Sequence, residues 1–137
     1  MRAILDSCVA IKTVLPEEHS EIAARLRDEY VRGIHELLAP DVLPVEFAHA
    51  ITRAHRRGII SNAEATLGMR DFLQVLPELH ESILLLPRAF EISLKARIGV
   101  YDCLYLALAE REGIPVITTD GPLSKAPGYT FIPITDF

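Results

Sequence analysis

The sequence predicts an α/β domain built on a mostly parallel five-stranded sheet, and three observations carry that expectation. Short apolar runs alternate along the chain with longer segments of helical period. The apolar runs lack the in–out alternation of a strand with one wet face, so they read as strands covered on both sides. The length, 137 residues of which 50% are hydrophobic, suffices to bury a sizeable core in one domain, residues 1–137. No internal repeat, low-complexity tract or linker divides it.

The elements follow in order. Residues 2–5, "RAIL", form a short buried strand ending at Asp6. "PEEHSEIAARLRDEYVRG" reads as a helix: Ile22, Leu26 and Tyr30 recur every fourth residue, acids crowd its start, and Gly33 suits its end. "HELLAP" is a second strand. "DVLPVEFAHAITRAHRRG" is a second helix, with Leu43, Phe47 and Ile51 on one face and Gly58 after a basic last turn. "SNAEATLGMRDFLQVL" opens with Ser61 and Glu64 at capping-box spacing. "SILLLP" is the third strand, and residues 87–97 are helical. A very apolar helix runs from about Tyr101 to Glu112. A Gly-Ile-Pro turn leads to the strand "VITT", and "TFIPI" is the fifth strand.

Composition narrows the function classes. The net charge of −5 argues against an ordinary nucleic-acid binder, which carries a basic surplus. That objection weakens if acids cluster around divalent cations. Cys8 and Cys103 form no CxxC pattern, which reads as free thiols in a reducing compartment. No apolar run reaches membrane-spanning length, and the acid at position six is foreign to a signal peptide. A cytoplasmic protein without membrane contact is expected.

Four acids stand at the element edges. Asp6 follows the first strand, Asp120 follows "VITT", and Glu46 and Asp102 sit in the first turns of two helices. In an open parallel sheet, strand C-termini and helix N-termini share one edge, where ligands bind. Each acid alone has an ordinary alternative as a cap, a helix-dipole partner or a turn residue. Their neighbours are apolar, however, and no Lys or Arg lies within three residues of any of them. A buried carboxylate without a partner is costly. A hard divalent cation, Mg2+ or Mn2+, with oxygen ligands would satisfy the set.

The stretches "ILDSCVAIKTVLPEE", "LPVEFAHAI" and "YDCLYLALAEREGIPVITTD", followed by Leu123, resemble the PIN-domain ribonucleases, and most of all the VapC-type toxins of toxin–antitoxin modules. The resemblance runs in order over nearly the whole chain. It implies a three-layer α/β/α PIN-like domain whose acidic pocket binds Mg2+ or Mn2+ and cleaves RNA. It implies Asp6, Glu46, Asp102 and Asp120 as the metal-binding quartet, with Thr118 as the hydroxyl that orients the pocket. It also implies a cognate antitoxin and a homodimer, for which Ile59, Ile60, Leu67 and Phe72 in the helical hairpin of residues 42–76 offer an apolar surface, the same four residues serving equally well as core. One position departs: the family usually has Ser, Thr or Asn two residues after the first Asp, and here Cys8 stands there, a poorer hydrogen-bond partner. Ser7, beside it, is expected to point elsewhere.

Candidate RNA contacts are Arg53, Arg56 and Arg57 at the end of the helix carrying Glu46, and Lys12 beyond Asp6. The arginines also suit a helix C-terminus as dipole partners. Glu46-x-x-His49 has the spacing of a di-iron ligand pair, but occurs once where such sites need it twice. Two rivals remain. A haloacid-dehalogenase-like phosphatase would use Asp6 as nucleophile, but its second Asp is replaced by Cys8. A catalytically inactive PIN-like interaction domain would have little use for four acids.

Overall fold

The computed structural model describes residues 1–137. Five strands, β1 (Arg2–Leu5), β2 (Glu36–Pro40), β3 (Glu78–His80), β4 (Val116–Thr118) and β5 (Phe131–Pro133), form one sheet of order β3-β2-β1-β4-β5. Every pairing is parallel, so "mostly parallel" becomes wholly parallel. The chain winds outward from β1 to β2 and β3, then returns to add β4 and β5 on the other side. The reversal falls between β1 and β4, which makes the crevice beyond their carboxyl ends the natural ligand position. Their register, Leu5 beside Ile117, sets Asp6 next to Thr118.

The first helices are α1 (Ser7–Ile11), α2 (Ser20–Val31), α3 (Leu43–Arg56) and α4 (Asn62–Gln74). Their boundaries obey local chemistry. Gly33 and Gly58, just past α2 and α3, take positive φ of 75° and 74°. The capping box at α4 is complete: Ser61 Oγ accepts from Glu64 N at 3.1 Å, and Glu64 Oε1 accepts from Ser61 N at 3.0 Å. Phe47 of α3 stacks on Phe72 of α4, with ring centroids 3.7 Å apart and planes 10° off parallel. Phe72 and Ile60 therefore belong to the core, while Ile59 and Leu67 stay exposed. Only half of the expected apolar surface on this hairpin exists.

The remaining helices are α5 (Ser82–Ala96), α6 (Val100–Glu112) and the short α7 (Gly121–Ser124). Residues Cys103 to Ala109 of α6 are all buried because α6 lies between the sheet on one side and α5 on the other. The segment "SILLLP" is the first half of α5, not a strand. An unbroken apolar run fits a covered strand and an all-round apolar helix equally well. The third strand is instead Glu78–His80, an edge strand pairing with Leu38–Pro40. It is polar and largely exposed, so it lacks the apolar signature. No helix is long and apolar enough to cross a membrane.

Candidate active site

The carboxylates predicted from sequence gather at the crevice between β1 and β4. Asp6 continues the β1 ladder, its N–H donating to Ile117 O at 3.1 Å, and its side chain turns into the crevice with 3% exposure. It occupies the N-cap position of α1 yet makes no capping bond from its side chain. The ordinary reading of Asp6 as a cap thus fails, and its oxygens serve elsewhere. Thr118 Oγ1 donates to Asp6 Oδ2 at 2.6 Å and accepts from Asp120 N at 2.9 Å. One buried hydroxyl therefore ties the end of β1 to the end of β4.

Cys8 completes this knot. Its Sγ donates to Asp6 Oδ2 at 3.1 Å and accepts from Thr119 N at 3.3 Å. Sγ also lies 3.4 Å from Thr118 Oγ1, but both hydrogens are directed at Asp6, so this is a contact. Burial and the Asp6 charge push the thiol up to about 11, so it keeps its proton at neutral pH. The thiol makes the contacts a hydroxyl would make there, with longer and softer bonds.

Asp120 does cap α7, accepting from Leu123 N at 2.8 Å through Oδ1, which leaves Oδ2 uncommitted. Asp102 sits in the first turn of α6, half-buried and without a capping bond. Burial, with the charges of Asp6 and Asp120, raises its carboxyl to about 6. Burial also raises Asp6, against the pull of its Thr118 and Cys8 bonds. Burial raises Glu46 as well, with the charges of Asp6 and Asp102 adding to it. Asp6 and Asp102 thus feel the charge of Asp120, Glu46 feels those of Asp6 and Asp102, and none of the four has an ion-pair partner among Lys, Arg or His. A concentration of negative charge that the chain itself leaves unneutralised favours the approach of a cation. No three of the acidic, cysteine or histidine side chains close into a ready protein cage.

Sequence reasoning missed two residues. Tyr105, fully buried and one turn beyond Asp102, donates its hydroxyl to Glu46 Oε1 at 2.8 Å. Burial and the Glu46 charge push its phenol well above the ordinary range, so it remains a donor. Ser7, expected to point away, faces the same carboxylate and helps to favour its ionised form. The signal for Tyr105 was present, as a phenol in an otherwise aliphatic run needs a partner, but the partner lies 59 positions away. Tyr105→Phe is expected to slow catalysis about tenfold with a stability loss near ~1 kcal/mol, because Glu46 loses its anchor while the ring still packs. Rates at saturating metal together with thermal melts check this; an unchanged rate would remove Tyr105 from the site.

The proposed RNA contacts divide. Lys12 pairs with Glu17 at 3.2 Å and lines a polar cleft of about 440 Å3 that includes Thr118 and Thr119 but none of the four carboxylates. Arg53, Arg56 and Arg57 are exposed and unpaired at the far end of α3, roughly 10–16 Å along the helix axis from Glu46. His49 is exposed on the same helix and has no ligand partner.

Comparison with known proteins agrees with this geometry. The PIN domain family model matches residues 3–129. Ribonuclease VapC3 of Pyrobaculum aerophilum is 31% identical over 127 residues, covering 91% of this chain and 94% of the relative. Among solved structures, PAE2754 from the same organism superposes with a TM-score of 0.73 at 17% identity, covering 99% of this chain and 94% of that one. Mycobacterium tuberculosis VapC20, described as a sarcin-ricin loop cleaving toxin, superposes with a TM-score of 0.68 at 16% identity, covering 93% and 96%. At these identities the structural likenesses speak for the fold, which is the three-layer PIN arrangement. With the family model spanning most of the chain and a ribonuclease relative matching nearly end to end, the chain belongs to the PIN-domain family, among the VapC ribonucleases.

Proposed function

We propose that the chain is a Mg2+- or Mn2+-dependent endoribonuclease that acts in the cytoplasm as the toxin of a toxin–antitoxin pair. The observation that carries the reading is the set of four carboxylates from four elements, gathered at the sheet's switch point with no cationic side chain to neutralise them. A bound divalent cation supplies an activated water and offsets charge developing on the scissile phosphate. Asp6 and Asp102 would hold the ion, with Asp120 Oδ2 and Glu46 completing its surroundings through oxygen atoms or water. Thr118 and Cys8 fix the Asp6 carboxylate by two hydrogen bonds, which removes its freedom to rotate. Tyr105 holds Glu46 Oε1 by one hydrogen bond. Lys12 at the polar cleft and, farther out, Arg53, Arg56 and Arg57 would contact phosphates along the RNA.

The phosphatase alternative loses ground here, since a thiol replaces the second acid it needs and the family is a nuclease one. The inactive-domain alternative would leave a costly charge cluster with no use. For the antitoxin, an apolar groove of about 230 Å3 runs between α1, α2 and α4, with Val9, Val14, Leu26 and Leu67 in its walls. It suits an amphipathic segment. Gly68 lets α4 approach there, as a Cβ at that position would meet Val14 Cγ1 at 2.6 Å. A second copy of the chain is the remaining partner. The test is incubation with total RNA, with Mn2+, with Mg2+ and with chelator, followed by mapping of the cut ends. Internal cuts at defined positions that appear only with the cation are expected; intact RNA under all three conditions would overturn the reading.

A further inference from the structure

The polar cleft of about 440 Å3 opens at the carboxyl edge of the sheet, where the start of α2 meets the ends of β4 and β5. Its size falls within the about 300–1,000 Å3 range of small-ligand sites. Thr118 joins it to the acids: this residue lines the cleft, and its hydroxyl donates to Asp6 Oδ2 at 2.6 Å. Three kinds of group line the rest. The first is cationic or rich in N–H donors. The Lys12 side chain is only 10% exposed, and Glu17 holds its ammonium in place at 3.2 Å. His19, the N-cap residue of α2, takes a positive φ of 66°, which a residue with a side chain rarely adopts. It gives no side-chain bond to the helix, so the first turn of α2 lacks a side-chain cap for its N–H groups. The second kind is aromatic: Phe131 of β5 is half-buried and packs on no other ring. The third is hydroxyl: Thr119 and Thr135 are exposed, and their hydroxyls bond to no atom of the chain. Glu18 is the one acid in the lining, and its side chain is 84% exposed.

We propose that this cleft holds one unpaired nucleotide of the RNA, next to the scissile phosphate, with its base on Phe131 and its phosphate at Lys12 and the first turn of α2. The inference rests on the nuclease reading above and adds to it the form of RNA that the site accepts. The three kinds of group match the three parts of a nucleotide. A bare aromatic ring is a stacking platform for any base, since every base has a π-face. A phosphate is drawn to an ammonium and to the N–H groups at a helix start. Ribose and base edges exchange hydrogen bonds with free hydroxyls such as those of Thr119 and Thr135. A duplex does not meet these groups, because its bases are stacked on both faces, and only an unpaired base can be splayed onto a ring. The net charge of −5 points the same way. General attraction to the RNA backbone is weak in such a chain, so affinity must come from local contacts.

Phe131→Trp supplies the test, because the chain has no tryptophan of its own. The full chain with this change, and with Asp6→Asn so that RNA stays whole, is titrated with single-stranded RNA of random sequence and with a duplex of the same length. Mn2+ is present throughout, and circular dichroism verifies folding. The single strand is expected to quench the indole emission as a base stacks on it, and the duplex to leave it unchanged. Anisotropy of labelled single-stranded RNA gives the affinities. Phe131→Ala is expected to weaken binding about tenfold, while Phe131→Trp retains it. Lys12→Gln is expected to weaken binding about fivefold and to flatten its dependence on salt. Indole emission untouched by the single strand would overturn the cleft as a nucleotide site, and so would full affinity in Phe131→Ala. Equal quenching by the duplex would overturn the requirement for an unpaired base. Unaltered binding by Lys12→Gln would remove the phosphate from that end of the cleft. Cleavage of the same RNA by the wild type is read separately: cutting without quenching sinks the cleft and spares the nuclease, and absence of cutting sinks the nuclease whatever the indole reports.

Discussion

Asp6→Asn lowers the rate of RNA cleavage by at least about a thousandfold, while the metal-free protein melts at the same temperature as the wild type or higher. The two halves of this expectation have one cause. Burial raises the Asp6 carboxyl above the ordinary range, so the ionised form is disfavoured where it stands. Its negative charge is therefore a cost to the fold and is useful only toward a cation. Asn keeps the shape and one oxygen to accept from Thr118 and Cys8, but brings no charge. Asp102→Asn acts in the same direction, because the same cause holds Asp102 at about 6. Single-turnover cleavage and thermal melts on both variants, with and without Mn2+, supply the check. A variant that cuts RNA at the wild-type rate would remove its residue from the centre. One that fails to fold would show that the acid is structural.

The second large effect is on stability. Asp6, Glu46 and Asp102 are all more easily protonated in the folded chain than in the unfolded one, so folding takes up protons. The stability they contribute is full below about pH 4 and is lost as pH rises through their folded values, about 6 for Asp102. Metal-free protein should therefore melt at a lower temperature at pH 7 than at pH 5. Glu64 and Glu110 shift the opposite way, but both are exposed and solvent screens their contribution. A divalent cation bound there would replace the missing protons. At neutral pH and a hundredfold excess over its dissociation constant, Mn2+ should raise the melting temperature by about 8 °C. Asp6→Asn should flatten both the pH slope and the metal response. A melting temperature that rises from pH 5 to pH 7 in chelator, or ignores the cation, would show that the carboxylates are neutralised by some other means.

Much of this was legible in the sequence. Asp6, Glu46, Asp102 and Asp120 could be picked out because each stands where a strand ends or a helix begins, beside apolar neighbours. That position is a local property, and the parallel sheet carries such positions to one edge. Capping of α4 by Ser61 and Glu64 was legible for the same reason, since both partners lie within one turn. The errors share a different cause. "SILLLP" was ambiguous because an apolar run carries no period, and only the placement of α6 against the sheet leaves α5 as an outer helix. Phe72 and Ile60 fit surface and core equally well in the sequence, because amphipathic spacing marks an apolar face without naming what covers it. The stacking of Phe72 on Phe47 decides that.

By itself, then, the sequence determined the alternation of elements, the acids at their ends and the family, since these depend on contacts within a few residues or on motifs in order. Tertiary structure alone decided how the acids are held. The Thr118 bond to Asp6, the Thr119 bond to Cys8 and the Tyr105 bond to Glu46 join elements whose proximity is set by sheet order. Tertiary structure also decided that one side of α5 faces water, because burial is a property of the packed whole, and a run of apolar residues reads the same whether it is covered or bare.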